Sequence, residues 1–218
     1  MTRNIWNSTV INRSHPLNLR LILNNMPPLS LSDTTCRPKG LMKSALIYGT
    51  CTGNTEYVAE LIVNALRPEF EMECLNVFKI EPEDLNNWDW LILGIPTWDV
   101  GELEYGWSDI YDALGSIELD VKIAMFALGD QGNYPDTYLD AMGILYRKLI
   151  ERGATGGFGF TPIEDHDFDE SKALVDGAFC GLAVDEDMQP DLTESRVLAW
   201  AENLKQTMLQ AAPTSQTT

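Results

Sequence analysis

At 218 residues the chain can bury one substantial core, and its formal charge of −18 is unevenly spread. Residues 1–41 hold five basic residues (Arg3, Arg13, Arg20, Arg37, Lys39) against one acid, a balance of +4, while ten basic and 32 acidic residues leave −22 on residues 42–218. A body this acidic argues against nucleic acid and anionic membranes as partners and suits salt-dependent docking to basic protein patches, although acidity alone is as simply a solvated surface. The four cysteines (Cys36, Cys51, Cys74, Cys180) show neither CxxC spacing nor a Cys/His cluster. Neither a zinc site nor a disulfide framework is expected, a reducing cytoplasm fits, and no stretch is apolar enough to span a membrane.

Residues 1–41 carry scattered apolar residues without a sustained period, and Met42 stands directly before the first strand. The segment reads as upstream sequence from a misassigned start, a disordered tail or a basic organellar targeting peptide. A domain is expected over 42–212, with 213–218 as a disordered tail. Strands are expected at 43–49, 70–77, 88–95 and 121–128, with a last, broken one near Thr155–Phe158 and Gly181–Val184. Helices are expected at 54–66, near 82–87, and at 106–115, 136–152 and 193–209. This alternation predicts an α/β fold, a parallel sheet with helices on both faces, whose ligands bind beyond the carboxyl ends of the strands.

Three loops fall at that edge. After the first strand comes Tyr48-Gly49-Thr50-Cys51-Thr52-Gly53-Asn54-Thr55, a hydroxyl- and glycine-rich turn into a helix. Backbone N–H groups at a helix N-terminus favour an anion, and no Lys or Arg is present to help hold it. The plainer alternative is a Thr or Asn cap on an ordinary helix. Cys51 is either a thiol made reactive by that terminus or a small loop residue. After the third strand comes Pro96-Thr97-Trp98-Asp99-Val100-Gly101-Glu102, and after the fourth Gly129-Asp130-Gln131-Gly132-Asn133-Tyr134-Pro135-Asp136. Each aromatic alone is unremarkable in a loop; two beside an anion site suit a flat, phosphorylated ligand.

The motifs T-x-T-G-N-T (Thr50–Thr55), I-P-T-W-x-x-G-E (Ile95–Glu102) and G-D-Q-x-x-Y-x-D (Gly129–Asp136) resemble those of the flavodoxin family over residues 42–210. The segment Gly159–Phe179, splitting the last strand, marks its long-chain type. The resemblance implies a flavodoxin-like three-layer sandwich with a five-stranded parallel sheet of order 2-1-3-4-5 and noncovalent FMN. Thr50, Thr52, Asn54 and Thr55, with the backbone that includes Cys51 and Gly53, would hold the phosphate. Trp98 and Tyr134 would sandwich the isoalloxazine, Asp130 would accept from flavin N3–H, and the Asp99–Val100 peptide would face N5. Pro96, Thr97 and Gly101 complete the second loop of that site, and Gly129, Gln131 and Asp136 the third. In the family the peptide facing N5 turns over on one-electron reduction, and the β-carbon of Asp99 is expected to oppose a turn that requires positive φ.

The function so implied is a low-potential one-electron carrier shuttling between semiquinone and hydroquinone. Its expected partners are a flavin-containing NADPH-dependent reductase and ferredoxin-type acceptors, met transiently by a cytoplasmic monomer. Acidic surroundings disfavour an anionic hydroquinone and push its formation to low potential. An FMN-dependent quinone reductase is the first alternative and a flavin-free binding domain the second. No residue is needed as nucleophile or general base, His166 falls in the insertion, and Glu164–Glu170 reads as a solvated acidic loop.

Overall fold

The computed structural model describes residues 42–211 apart from Pro68, so the segment 1–41, its Cys36 and the tail 213–218 lie outside the described residues. The first strand of the sheet, β1 (Ser44–Tyr48), is buried at every residue. It pairs in parallel with β2 (Glu73–Asn76) on one side and β3 (Trp90–Trp98) on the other. β3 turns back on itself as a short hairpin with β4 (Glu102–Leu103) and pairs in parallel with β5 (Lys122–Leu128). The fifth strand comes in two pieces. β6 (Thr155–Phe158) lies along the first half of β5, and β9 (Leu182–Val184) along its last half, Phe126 opposite Leu182 and Leu128 opposite Val184. Between them runs the insertion, with a small antiparallel hairpin of β7 (Leu174–Val175) and β8 (Ala178–Phe179). The expected order therefore holds; among the described residues the sheet has seven strands because β4 and the two half-strands count separately.

Side chains alternate across the sheet with period two. Leu46 and Tyr48 face a core closed by α1 (Asn54–Leu66) and α4 (Thr193–Ala211), through Val58, Ile62, Val197, Trp200 and Leu204. Ala45 and Ile47 face the other core, closed by α2 (Tyr105–Ala113) and α3 (Asp140–Glu151) and, from the insertion, by Ala173 and Phe179. Trp88, Trp90 and Trp107 are all buried. Gly94 of β3 has no room for a side chain, because a Cβ there would lie 2.1 Å from the Phe126 ring. Among the described residues no helix is long and apolar enough to cross a membrane.

Three boundaries differ from expectation by three residues or more. The second strand begins at Glu73, and Val77–Lys79 forms a 3-10 turn capped by the Asn76 side chain, which accepts from Phe78 N. The third strand runs on to Trp98, the extension serving the β4 hairpin. The helix expected from 136 starts at Asp140, since Pro135–Thr137 is a 3-10 turn and Leu139 has φ +58°. All three follow from local hydrogen bonds and dihedrals that apolar periodicity does not report.

A candidate cofactor cleft at the carboxyl edge of the sheet

A cleft of about 290 Å³ opens at the carboxyl ends of β1, β3 and β5. All three expected loops reach it: Thr52, Asn54 and Thr55 from the first, Pro96, Thr97, Trp98 and Asp99 from the second, Gly129, Asp130 and Tyr134 from the third. Thr50, Cys51, Gly53, Val100, Gly101, Gln131 and Asp136 belong to the same loops but do not line the cleft. Leu128, Thr137, Tyr138, Leu139, Glu186 and Asp187 line it without having been expected. Glu186 and Asp187 follow β9, so the rule that directed attention to the other strand ends also applied to them. Tyr138 and Leu139 fall where apolar periodicity alone predicts the interior of a helix.

In the first loop the cap of α1 is Gly53, at φ +96° and without a side-chain hydrogen bond, rather than the Thr or Asn of the plainer reading. Thr50 Oγ1 accepts from Gly53 N at 3.0 Å, closing the loop just outside the helix. The first-turn N–H groups and the positive end of the helix dipole are thus left to face whatever occupies the cleft. Beneath the loop, a Cβ on Gly49 would lie 2.3 Å from Glu104 Oε2 and 2.7 Å from Trp107. Glu104 is buried and its Oε2 caps α2 by accepting from Gly106 N at 3.1 Å and Trp107 N at 3.3 Å. Trp107 Nε1 and Gly49 N both donate to Gly94 O, at 2.8 and 3.0 Å, which pins the loop to β3. Burial and then the nearby Glu104 raise the Cys51 thiol pKa, the opposite of what a reactive thiolate requires.

In the second loop, Trp98 pairs with Glu102 across a turn that puts Val100 at its tip, 74% exposed. Asp99 already has φ +42° and Gly101 φ +85°. The β-carbon expected to oppose a left-handed conformation is therefore accommodated here; Asp is among the few residues that tolerate it. Thr97 Oγ1 is buried without a hydrogen-bond partner among the described residues.

In the third loop Asp130 is engaged with its own turn. Its Oδ1 accepts from Gly132 N at 3.0 Å and Asn133 N at 2.9 Å, and its Oδ2 from Asn133 Nδ2 at 2.6 Å. Tyr134 beyond it is 48% exposed. The fully buried Asp185 ties this loop to the end of β9, accepting from Gln131 N at 2.9 Å and from Asp187 N and Met188 N at 3.0 and 2.8 Å. Among the described residues the lining carries four carboxylates (Asp99, Asp130, Glu186, Asp187) and no Lys, Arg or His. Burial, then Asp130 and Asp185, raise the pKa of Asp187. The cleft thus offers three aromatic rings (Trp98, Tyr134 and Tyr138) and neutral donors within a negative field. Among the described residues no group of three or more His, Cys, Asp or Glu side chains could hold a metal ion.

The flavodoxin family model matches residues 46–200. The chain is 45% identical over 166 residues to the flavodoxin of Synechococcus elongatus, an alignment spanning 76% of this chain and 97% of the relative. To the flavodoxin of Nostoc sp. it is 43% identical over 167 residues, covering 75% and 95%. Among solved structures it is similar to the Fusobacterium nucleatum flavodoxin bound to flavin mononucleotide, with TM-score 0.71, 26% identity and coverage of 77% of this chain and 99% of that one.

Proposed function

Because the chain belongs to the flavodoxin family, we propose that it carries electrons on noncovalently bound FMN in the cleft at the ends of β1, β3 and β5. The observation that carries this reading is the convergence of Trp98, Tyr134 and the start of α1, uncapped by any side chain, on one cleft. The residues present fit the cofactor. The buried Thr97 hydroxyl, without a partner among the described residues, lines the same space, and the donors near α1 are neutral. When bound, FMN would supply one-electron redox chemistry.

The chain's own residues bind and tune. Thr52, Asn54 and Thr55, with the N–H groups of the first turn of α1, hold the phosphate, and the helix dipole favours its charge. Thr50 keeps that loop closed. Trp98 and Tyr134 cover the flat ring and exclude water from its faces. Asp130, by gathering Gly132 N, Asn133 N and Asn133 Nδ2, shapes the third loop beside Tyr134. Asp99, Asp130, Glu186 and Asp187 set a negative field that disfavours added negative charge and lowers the reduction potential.

The acidic surface around the cleft suits brief docking of basic faces, on a flavin-containing NADPH-dependent reductase as donor and on ferredoxin-type proteins as acceptors, within the cytoplasm. The test is an absorption spectrum of the purified full-length protein followed by anaerobic reductive titration. A yellow protein reduced in two resolved one-electron steps is expected. A colourless protein that leaves FMN fluorescence unquenched would exclude the cofactor, and rapid turnover of NADPH and a quinone without a separate reductase would favour an enzyme.

A further inference from the structure

The insertion that splits the fifth strand returns to the cleft from behind. Its residue Lys172 donates to the buried Asp140 twice, from the backbone N to Oδ1 at 2.7 Å and from Nζ to Oδ2 at 2.5 Å. The Asp140 side chain is 3% exposed and that of Lys172 56%. The same Oδ2 also supports the turn at the mouth of the cleft, because a Cβ on Gly101 would lie 2.8 Å from Asp140 Oδ2 and 3.1 Å from Asp140 Cβ. The turn backbone therefore rests directly on the Asp140 side chain.

Neighbouring contacts clasp the wall of the cleft. Ser171 Oγ donates to Tyr138 O at 2.5 Å, and Lys172 O comes so near α3 that a Cβ on Gly143 would lie 1.9 Å from it. Between Tyr138 and Asp140, the two residues gripped, stands Leu139, fully buried at φ +58° and lining the cleft. A leucine holds a left-handed conformation only where its surroundings over-determine it. Here the insertion supplies that constraint.

We propose that Lys172 and Asp140 are positioning residues for the cofactor: the pair holds the Trp98–Gly101 turn and the Tyr138–Leu139 wall in the arrangement that receives the flavin. The insertion is then part of the site although none of its residues lines the cleft. Losing the ammonium would leave a buried carboxylate short of its counter-charge, which draws it toward solvent and withdraws the support under Gly101.

The inference rests on the cofactor reading above, and its test has one arm independent of that reading. Amide exchange of residues 98–101 is measured in the cofactor-free full-length protein, and FMN affinity by fluorescence quenching, for wild type, Lys172→Met, Lys172→Arg, Asp140→Asn and Lys172→Met/Asp140→Asn. Lys172→Met and Asp140→Asn are each expected to speed exchange of the turn and to weaken FMN binding about tenfold. The double variant should bind no more weakly than either single one, and Lys172→Arg should restore wild-type behaviour.

Affinities of both single variants within twofold of wild type, with unchanged exchange, would overturn the proposal. So would a double variant whose losses multiply, since the Lys172 charge would then act on the phosphate at a distance. Should Asp140→Asn not fold, the exchange rates of Lys172→Met against Lys172→Arg decide. Failure of the wild type itself to bind FMN defeats the cofactor reading, while the exchange measurements still judge the clasp.

Discussion

Tyr138 Oη and His166 Nδ1 lie 2.9 Å apart, joining a wall of the cleft to the insertion. The His166 ring meets Tyr138 at 5.5 Å and the edge of Phe179 at 5.3 Å, so the pair is enclosed by aromatic surface. Burial, and then the charge of Arg196, push His166 down to about 4, with Asp185 and Asp165 opposing the shift. A histidine whose folded-state pKa is depressed contributes stability that is complete above its unfolded value of about 6.5 and is lost as pH falls toward 4. The thermal midpoint of the wild type should therefore drop between pH 6.5 and pH 4 more steeply than that of His166→Asn. Parallel curves for the two proteins would rule out His166 as a source of the acid sensitivity.

Thr97→Val separates folding from binding. The hydroxyl is buried without a partner among the described residues, and valine preserves its shape. Removing an unsatisfied hydroxyl is expected to stabilise the cofactor-free protein by about 1 kcal/mol. If that hydroxyl meets FMN, the same change weakens cofactor binding. Urea unfolding of the cofactor-free protein beside an FMN titration would show the two opposite signs; a destabilised cofactor-free variant would contradict this account of the hydroxyl.

Gly94→Ala addresses the sheet rather than the loops. The added methyl would lie 2.1 Å from the ring of Phe126, its direct partner on β5. Overpacking of this kind costs about 1–3 kcal/mol and should appear as a lower midpoint in chemical denaturation. Because Gly94 O also receives Trp107 Nε1 and Gly49 N, FMN affinity should fall as well. Full stability in the alanine variant would mean that Phe126 moves aside freely.

Trp98→Ala and Tyr134→Ala compare the two rings. Each removes aromatic surface from the cleft, and aromatic contact contributes about 0.5–1.5 kcal/mol beyond area burial, so FMN affinity should fall about tenfold in each. Tyr134 is half exposed, and its loss should leave the stability of the cofactor-free protein unchanged. Equal FMN affinity in wild type and both variants would remove the rings from the site.

The three loops were legible because each is written locally. The Thr- and Gly-rich turn after β1, the Trp after β3 and the Tyr after β5 are short motifs following recognisable apolar runs, and a parallel sheet delivers strand ends to one edge whatever the details of packing. The splitting of the last strand was visible for the same reason, as two apolar pieces around a polar insertion. The left-handed Leu139 was hidden, since periodicity over 136–152 reads as unbroken helix until tertiary contacts hold one residue out of it. Glu104 beneath Gly49, Asp185 beneath Gln131 and Lys172 against Asp140 are likewise partners remote in sequence, chosen by how the chain closes. The order of the elements and the residue types at the sheet edge are written along the chain, because those depend on near neighbours. Which carboxylates are buried, which loops they hold and what rests on them emerge from packing, where burial forces each charged or polar group to find a partner wherever the fold has brought one.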